Sequence, residues 1–305
     1  MTGSFTLPAF AKINLFLNIE GRRDDGYHEL CTAFQTVSLH DSLTFSLSTD
    51  NSIHVTCDDP SIPVDERNLI YRAASMLKKE YNVAQGANIH LVKRIPSPGG
   101  LGGGSSDAAI TLIGLIKLWA INTDIAALKY LCSSLGSDVP FFLYGGTALG
   151  TGRGTEITPL TDFTGDKMII VTPDVNVSTA DAYSLLSLPP LTKEDSNRIL
   201  KICHNEAERL LSAQSELRND FEEVVFQLKP ELARVKDSLL ALNALNARMS
   251  GSGASFFASF ADEAGRQSAL APLKRETNWR VFAVKTVSRE LYLESLRPCS
   301  DLLQQ

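Results

Sequence analysis

From residue 4 to residue 20 apolar side chains alternate with others: Phe5 and Leu7, then Ile13, Leu15, Leu17 and Ile19. A period of two predicts a strand, with Lys12 and Asn14 together on the opposite parity, as is Asn18. Residues 42–57 read as a hairpin turning at Asp50 and Asn51. Leu69, Ala73, Leu77 and Tyr81 recur every four residues and predict a helix from Asn68 to Tyr81. Ile89 to Lys93 reads as a strand that runs into a glycine-rich loop. Beyond that loop, the spacing from Ala108 to about Trp119 predicts a strongly amphipathic helix. A second helix spans Asp124 to Leu135, with Gly136 placed to end it. Phe141 to Leu149 reads as buried extended chain, and Gly150 to Gly154 as a turn and lobe boundary.

The second half opens with a strand, Met168 to Thr172, stopped by Pro173. Helical patterns run from Asn219 to Leu228 and from Glu231 to Leu242, split by Pro230. A glycine–serine cluster, SGSGAS, follows within Arg248 to Phe260. A helix from Glu263 to Lys274 and a strand from Arg280 to Val287 come last. Strands and helices mix without a regular βαβ period, which predicts an α+β fold. The expected division is residues 1–153 and 154–305, with no internal repeat.

The chain has 305 residues, enough for one large core or two smaller ones. Hydrophobic residues at 44% and charged residues at 21% are an ordinary globular mix. A net charge of −6 argues against nucleic acid as a general partner. The five cysteines contain no C-x-x-C pair, so reduced thiols in a cytoplasmic setting are expected. His28 and Glu29 begin like a zinc-protease motif, but Thr32 stands where its second histidine belongs. No apolar run reaches membrane-spanning length, and no signal or transit pattern precedes the first strand.

The densest chemistry lies in PSPGGLGGGSSDAA, from Pro96 to Ala109. Glycines let backbone N–H groups turn inward, and a following helix adds unpaired N–H groups and partial positive charge. That is a phosphate site, without the lysine of a Walker A loop and without the G-x-G-x-x-G of a dinucleotide fold. Four other places could carry chemistry. Lys12 on its strand is either a surface residue or a charge turned into a cleft. Asp138, before an apolar run, is either a turn residue or a buried base or metal ligand. Tyr27 and His28 on a loop could hold a planar base, or simply pack. Thr179 and Tyr183 follow a strand end, with Ser178 or Thr179 as a helix cap and Tyr183 in the core or facing a ligand. Ser250–Gly253 is either an ordinary turn or a second anion nest, and two such nests would suit a ligand carrying several phosphates.

In this order the motifs resemble the galactokinase, homoserine kinase, mevalonate kinase and phosphomevalonate kinase (GHMP) superfamily. PAFAKINLFL, PSPGGLGGGSSDAA and RMSGSGASFF match its three signature regions. AKINLFL, DGYHEL, GGLGGGSSDAA, LGSDVPFF and VSTADAY together are similar to its 4-diphosphocytidyl-2-C-methyl-D-erythritol kinases, from about residue 8 to about residue 290. The resemblance implies a two-lobed fold with the site in the cleft between lobes. It implies ATP held by Pro96, Ser97, Pro98, Gly99, Gly100, Leu101, Gly102, Gly103, Gly104, Ser105 and Ser106. It implies Lys12 and Asp138 as the catalytic pair, Lys12 supplying the cation the loop lacks. Asn14, Tyr27, His28, Thr179 and Tyr183 match substrate positions, the cytosine being held between aromatic rings and read by the histidine. Magnesium would bridge the phosphates, with Ser106 as a hydroxyl ligand. Partners are then a small-molecule substrate and, at most, a second copy in a homodimer, with no nucleic acid and no membrane. The rival readings are a homoserine- or mevalonate-type kinase and a non-catalytic nucleotide sensor. Asp107 departs from the asparagine often found in such loops and is expected to cap the helix.

Overall fold

The computed structural model describes residues 3–186, 190–191, 195–211, 217–297, 299 and 303. Strand β1 (Phe5–Arg22) pairs antiparallel along its length with β2 (His28–Leu47). The predicted alternation is present in sequence but not in burial: every residue from Ala11 to Ile19 is buried. The reason is that β1 threads all three apolar clusters. Leu7 and Ala9 belong to the first, Ala11, Ile13, Leu15 and Phe16 to another, Leu17 and Ile19 to the third. Its polar parity therefore faces other parts of the protein rather than solvent.

The first sheet adds β3 (Ile53–Cys57), β4 (Ala87–Val92), β5 (Thr147–Thr151), β6 (Glu156–Pro159) and the two-residue β8 (Arg218–Asn219). Its order is β3-β4-β2-β1-β8, with β5 pairing β2 and β6 pairing β5. The expected hairpin over residues 42–57 does not form. The start of β4 inserts between its arms, Ser48 N–H donating to Gly86 and Ala87 N–H to the Ser52 carbonyl. β3 then pairs parallel with the outer edge of β4.

Helices α1 (Leu69–Glu80), α2 (Gly103–Leu118) and α3 (Ile125–Leu135) pack with this sheet into the largest apolar cluster. The surface-type amphipathic helix expected after the loop is instead enclosed: α2 is buried on all sides from Ser106 to Ile116. Phe141 to Leu149 is not one extended segment. Pro140 favours a helical start, and Val139–Leu143 forms a short 3-10 helix. Gly145 and Gly146, at φ of 61° and 65°, then turn the chain into β5.

The second sheet is antiparallel, in the order β11-β7-β10-β9: β7 (Met168–Pro173), β9 (Asn246–Met249), β10 (Phe256–Ser259) and β11 (Trp279–Val284). Helices α6 (Phe221–Leu228), α7 (Glu231–Ala241) and α8 (Glu263–Lys274) pack with it. Three further helices complete the chain: α4 (Thr179–Ser184), α5 (Asp195–Leu211) and α9 (Arg289–Ser295). β5 and β6 pair antiparallel across the turn at residues 152–155, so the first sheet continues to Pro159. α9 returns to the first cluster, where buried Tyr292 donates its hydroxyl to the Phe142 carbonyl. Strands and helices intermix as expected for an α+β fold.

One cysteine expectation fails. Cys31 of β2 and Cys203 of α5 form a disulfide, with Cα atoms 5.6 Å apart. They are 172 residues apart in sequence, and only the packing of α5 on β2 brings them together. No described helix is long and apolar enough to cross a membrane.

Candidate active site

The glycine-rich loop lies between β4 and α2. Gly102 is the N-cap of α2 with φ of 69°, and no side chain caps the helix. The first amides of α2 are thus left for a ligand, as the loop composition suggested. Residue 107 stands a full turn inside the helix, so Asp107 cannot cap it. Asp107 is buried and instead accepts from Lys93 Nζ at 3.0 Å. Lys93 also donates to Asp41, whose other oxygen accepts the amides of Arg94 and Ile95. These charges fasten the start of the loop to β2 and α2. Burial pushes the Asp107 carboxyl up to about 7, with Lys93 opposing and Asp41 assisting the rise.

Lys12 is brought to the loop by β1. Its backbone N–H donates to the Leu101 carbonyl at 2.9 Å. Its stem lies against Gly102, where a Cβ would stand 2.9 Å from Lys12 Cγ. The side chain is 3% exposed, which decides for the cleft against the surface, and its ammonium faces Asp138 and Asn14. It lies 3.2 Å from Asp138 Oδ2 and donates to Asn14 Oδ1 at 2.8 Å. Asp138 precedes the 3-10 helix without capping it, so its carboxylate is free to face Lys12, and its side chain remains 31% exposed. Asn14 is buried, and its Nδ2 donates to Thr32 Oγ1 at 2.8 Å, which donates to the Phe16 carbonyl. Asn14 thus holds Lys12 and is itself held.

A cavity of about 600 Å³ opens beside this pair. Tyr27, His28, Arg153, Thr179 and Tyr183 line it, together with the chain from Ser133 to Ser137 that leads to Asp138. His28 begins β2 and stacks on Tyr183 with ring centres 4.6 Å apart. Tyr183 is braced edge-on by Phe221 at 4.8 Å. Burial, with Arg22 adding to it, lowers the His28 pKa and favours a neutral imidazole. Burial and the nearby Asp138 charge push the Tyr183 hydroxyl up to about 12. Tyr27 sits at the rim, 56% exposed, with the Arg153 guanidinium 4.6 Å from its ring centre. Thr179 Oγ1 shares a hydrogen bond with Ser252 Oγ of the second glycine cluster.

The two glycine clusters touch. Ser250 Oγ donates to the Gly100 carbonyl at 2.9 Å, and Ser255 N–H donates to that of Gly99 at 3.1 Å. The structure therefore joins the loop, Lys12, Asn14, Asp138, Tyr27, His28, Thr179 and Tyr183 around one cleft. It also adds residues that sequence reasoning missed: Thr32, Lys93, Asp41, Arg153 and Asn219. The only sequence signal for Asn219 was the polar RND run before an apolar helix, which reads merely as a helix start.

The family described as GHMP kinases N terminal domain matches residues 68–146, and that described as GHMP kinases C terminal matches residues 198–278. The 4-diphosphocytidyl-2-C-methyl-D-erythritol kinase of Acetivibrio thermocellus is 36% identical over 285 residues, covering 93% of this chain and 99% of that protein. The enzyme of the same name from Shouchella clausii is 40% identical over 253 residues, covering 83% and 84%. A crystal structure of 4-(cytidine 5'-diphospho)-2C-methyl-D-erythritol kinase superposes with a TM-score of 0.76 at 32% identity, covering 92% of this chain and 99% of that one. A homoserine kinase from Cytophaga hutchinsonii, at 21% identity and a TM-score of 0.71, shares the fold. Identities of 36% and 40% over most of both chains, against 21% for the homoserine kinase, decide between sister enzymes that share one architecture, and the chain belongs to the 4-diphosphocytidyl-2-C-methyl-D-erythritol kinase family of the GHMP kinases.

Proposed function

We propose that this kinase transfers the γ-phosphate of ATP to the 2-hydroxyl of 4-diphosphocytidyl-2-C-methyl-D-erythritol, giving the 2-phosphate and ADP for isoprenoid precursor synthesis. One observation carries the reading: the ion pair of buried Lys12 with half-buried Asp138 lies between an uncapped glycine loop and an aromatic-lined cavity of about 600 Å³. Homoserine and mevalonate offer no base for Tyr27, His28 and Tyr183, and a pure sensor needs no ion pair beside the loop.

Residues 96–106 hold the triphosphate through backbone amides, and Lys12 neutralises charge on the transferring group. Asp138 takes the hydroxyl proton as the new P–O bond forms, while the bond to the ADP oxygen breaks. Asn14 keeps Lys12 in place. Tyr27 and Tyr183 flank cytosine, neutral His28 reads its edge, and Thr179 contacts the substrate from α4. Magnesium fits this site as a phosphate-borne ion: it would neutralise phosphate charge. Ser106 Oγ is buried with no protein partner and could ligate it, while the described residues contain no cluster of three or more metal-ligating side chains. The N-terminal lobe, 1–153, would hold the donor and bring Asn14, Tyr27 and His28 to the acceptor, and the remainder would add Thr179 and Tyr183 on the acceptor side, in a cytoplasmic enzyme that acts alone or as a homodimer.

The test is ADP release with ATP and each of three alcohols: the cytidyl compound, homoserine and mevalonate. Turnover only with the first is expected. Turnover with either other alcohol, or with none, would overturn the assignment.

A further inference from the structure

Strand β8 is two residues long, and its pairing with Phe16 and Leu17 sets Asn219 beside the central strand. Asn219 is 5% exposed and its amide is fully used. Its Nδ2 donates to the carbonyls of Met249 and Gly251, each at 2.8 Å. Its Oδ1 accepts the Phe221 N–H at 2.9 Å, which closes the start of α6. The flanking residues anchor this placement. Asp220 N–H donates to the Leu17 carbonyl, and Asp220 Oδ2 accepts the Ile19 N–H at 2.9 Å. From the other side Glu222 accepts the Met249 N–H at 2.8 Å. The strand entering the second glycine turn is thus held by both its amide and its carbonyl.

That turn borders Lys12, the donor loop and Thr179. A Cβ on Gly251 would lie 3.4 Å from Lys12 Nζ. Ser250 reaches Gly100 of the donor loop, and Ser252 reaches Thr179 on the acceptor side. Gly251 has φ of 60°, a backbone state with little local preference to fix it. Capturing its carbonyl fixes the whole planar peptide, so the Ser252 N–H must point away from Asn219. Among the described residues, the Gly251 and Ser252 amides donate to no protein acceptor.

We propose that Asn219 is a positioning residue for phosphoryl transfer, its side-chain amide setting the Ser250–Gly253 turn against Lys12 and the donor loop. The inference rests on the phosphoryl-transfer reading above. It adds a residue that touches neither reactant and acts through the turn. The two ends of the amide have separable tasks, since Oδ1 caps α6 and Nδ2 holds the turn.

Asn219→Asp keeps the acceptor for Phe221 and loses both donors to the turn. Asn219→Ala loses the same donors without adding a carboxylate. The readouts are kcat with the cytidyl substrate and ATP, cytidine 5'-monophosphate binding to the full chain, and thermal melting. A misplaced catalytic geometry costs on the order of a hundredfold in rate. We expect a kcat loss of about that size for Asn219→Asp, a smaller loss for Asn219→Ala, and cytidine monophosphate affinity within about twofold of wild type. Near-wild-type kcat in both variants would overturn the proposal. So would equal losses in kcat and cytidine monophosphate binding that track a lowered melting temperature, because they mark a purely structural residue. Wild-type protein that binds cytidine monophosphate yet transfers no phosphate would sink the functional reading instead.

Discussion

Alanine at Gly100 and alanine at Gly104, four residues apart in one loop, should shift stability in opposite directions. Gly100 has φ of 71°, and a Cβ there would meet the Ser250 carbonyl oxygen at 2.2 Å and that of Gly253 at 2.9 Å. Both obstacles are backbone and cannot swing aside. The left-handed conformation costs an L-residue about 1–2 kcal/mol. Forced overpacking adds about 1–3 kcal/mol. Gly100→Ala should therefore destabilise by about 2–5 kcal/mol. At the lower end of the usual scaling, about 2 °C per kcal/mol, the melting temperature falls by about 4–10 °C. Gly104 lies in the first turn of α2, where a Cβ meets only Leu69 Cδ1 at 3.6 Å. Alanine there restricts the unfolded chain and should stabilise by about 0.4–1 kcal/mol. Thermal melts of the nucleotide-free protein, followed by circular dichroism, read both changes. A Gly100→Ala melt within about 1 °C of wild type, or shifts of the same sign in the two variants, would refute the backbone-to-backbone packing of the two glycine clusters.

Asp138→Asn should lower kcat by roughly 10²–10⁴-fold while ATP binding by calorimetry stays nearly unchanged; wild-type turnover would remove Asp138 as the base. Tyr27→Ala should cost about 1–3 kcal/mol of base stacking, seen as a raised KM for the cytidyl substrate, and equal changes in both KM values would contradict the role. Asp107 bears on pH. Burial raises its folded pKa to about 7, well above the ordinary carboxylate range, so its stability contribution is complete below about pH 4 and is lost as pH rises through 7. Asp107→Asn should therefore gain stability relative to wild type between pH 4 and pH 8 in denaturant titrations. Parallel pH profiles for the two proteins would dismiss that burial penalty.

Local patterns carried well. α1, α3, α7, α8 and β7 fall within a residue or two of the ranges that spacing and end signals predict. Asn68, Asp124 and Asp262 show why, since each caps its helix through its own side chain. What failed was long-range. Nothing near residues 42–57 announces that β4 will wedge between their two arms. The helix Asp195–Leu211 is absent from the expected elements, and Cys31, the partner of its Cys203, is 172 positions away. The same limit applies in the cleft. The glycine loop is legible because its chemistry is contiguous, whereas Lys12 and Asp138 look ordinary until folding brings them, 126 positions apart in sequence, to 3.2 Å. Asp107 was misread because the helix begins at Gly103, which leaves residue 107 facing the interior.

The loop without a lysine makes sense once burial is compared across the ion pair. A lysine within a loop moves with it, whereas Lys12 is fixed on a strand that runs through all three apolar clusters. Its stem is pressed against the N-cap of α2, and its side chain is 3% exposed while that of Asp138 is 31% exposed. The accessible side of the pair is therefore the carboxylate, whose residue follows directly on Ser137 of the cavity lining. On the proposed roles, an acceptor hydroxyl arriving from that cavity would meet Asp138 first, with Lys12 behind it on the donor side. In-line transfer requires that order, base and hydroxyl on one side and donor phosphate on the other. In the proposed reaction the aromatic cavity would select which alcohol arrives, the start of the 3-10 helix would set its proton acceptor, and the strand would fix the neutralising charge.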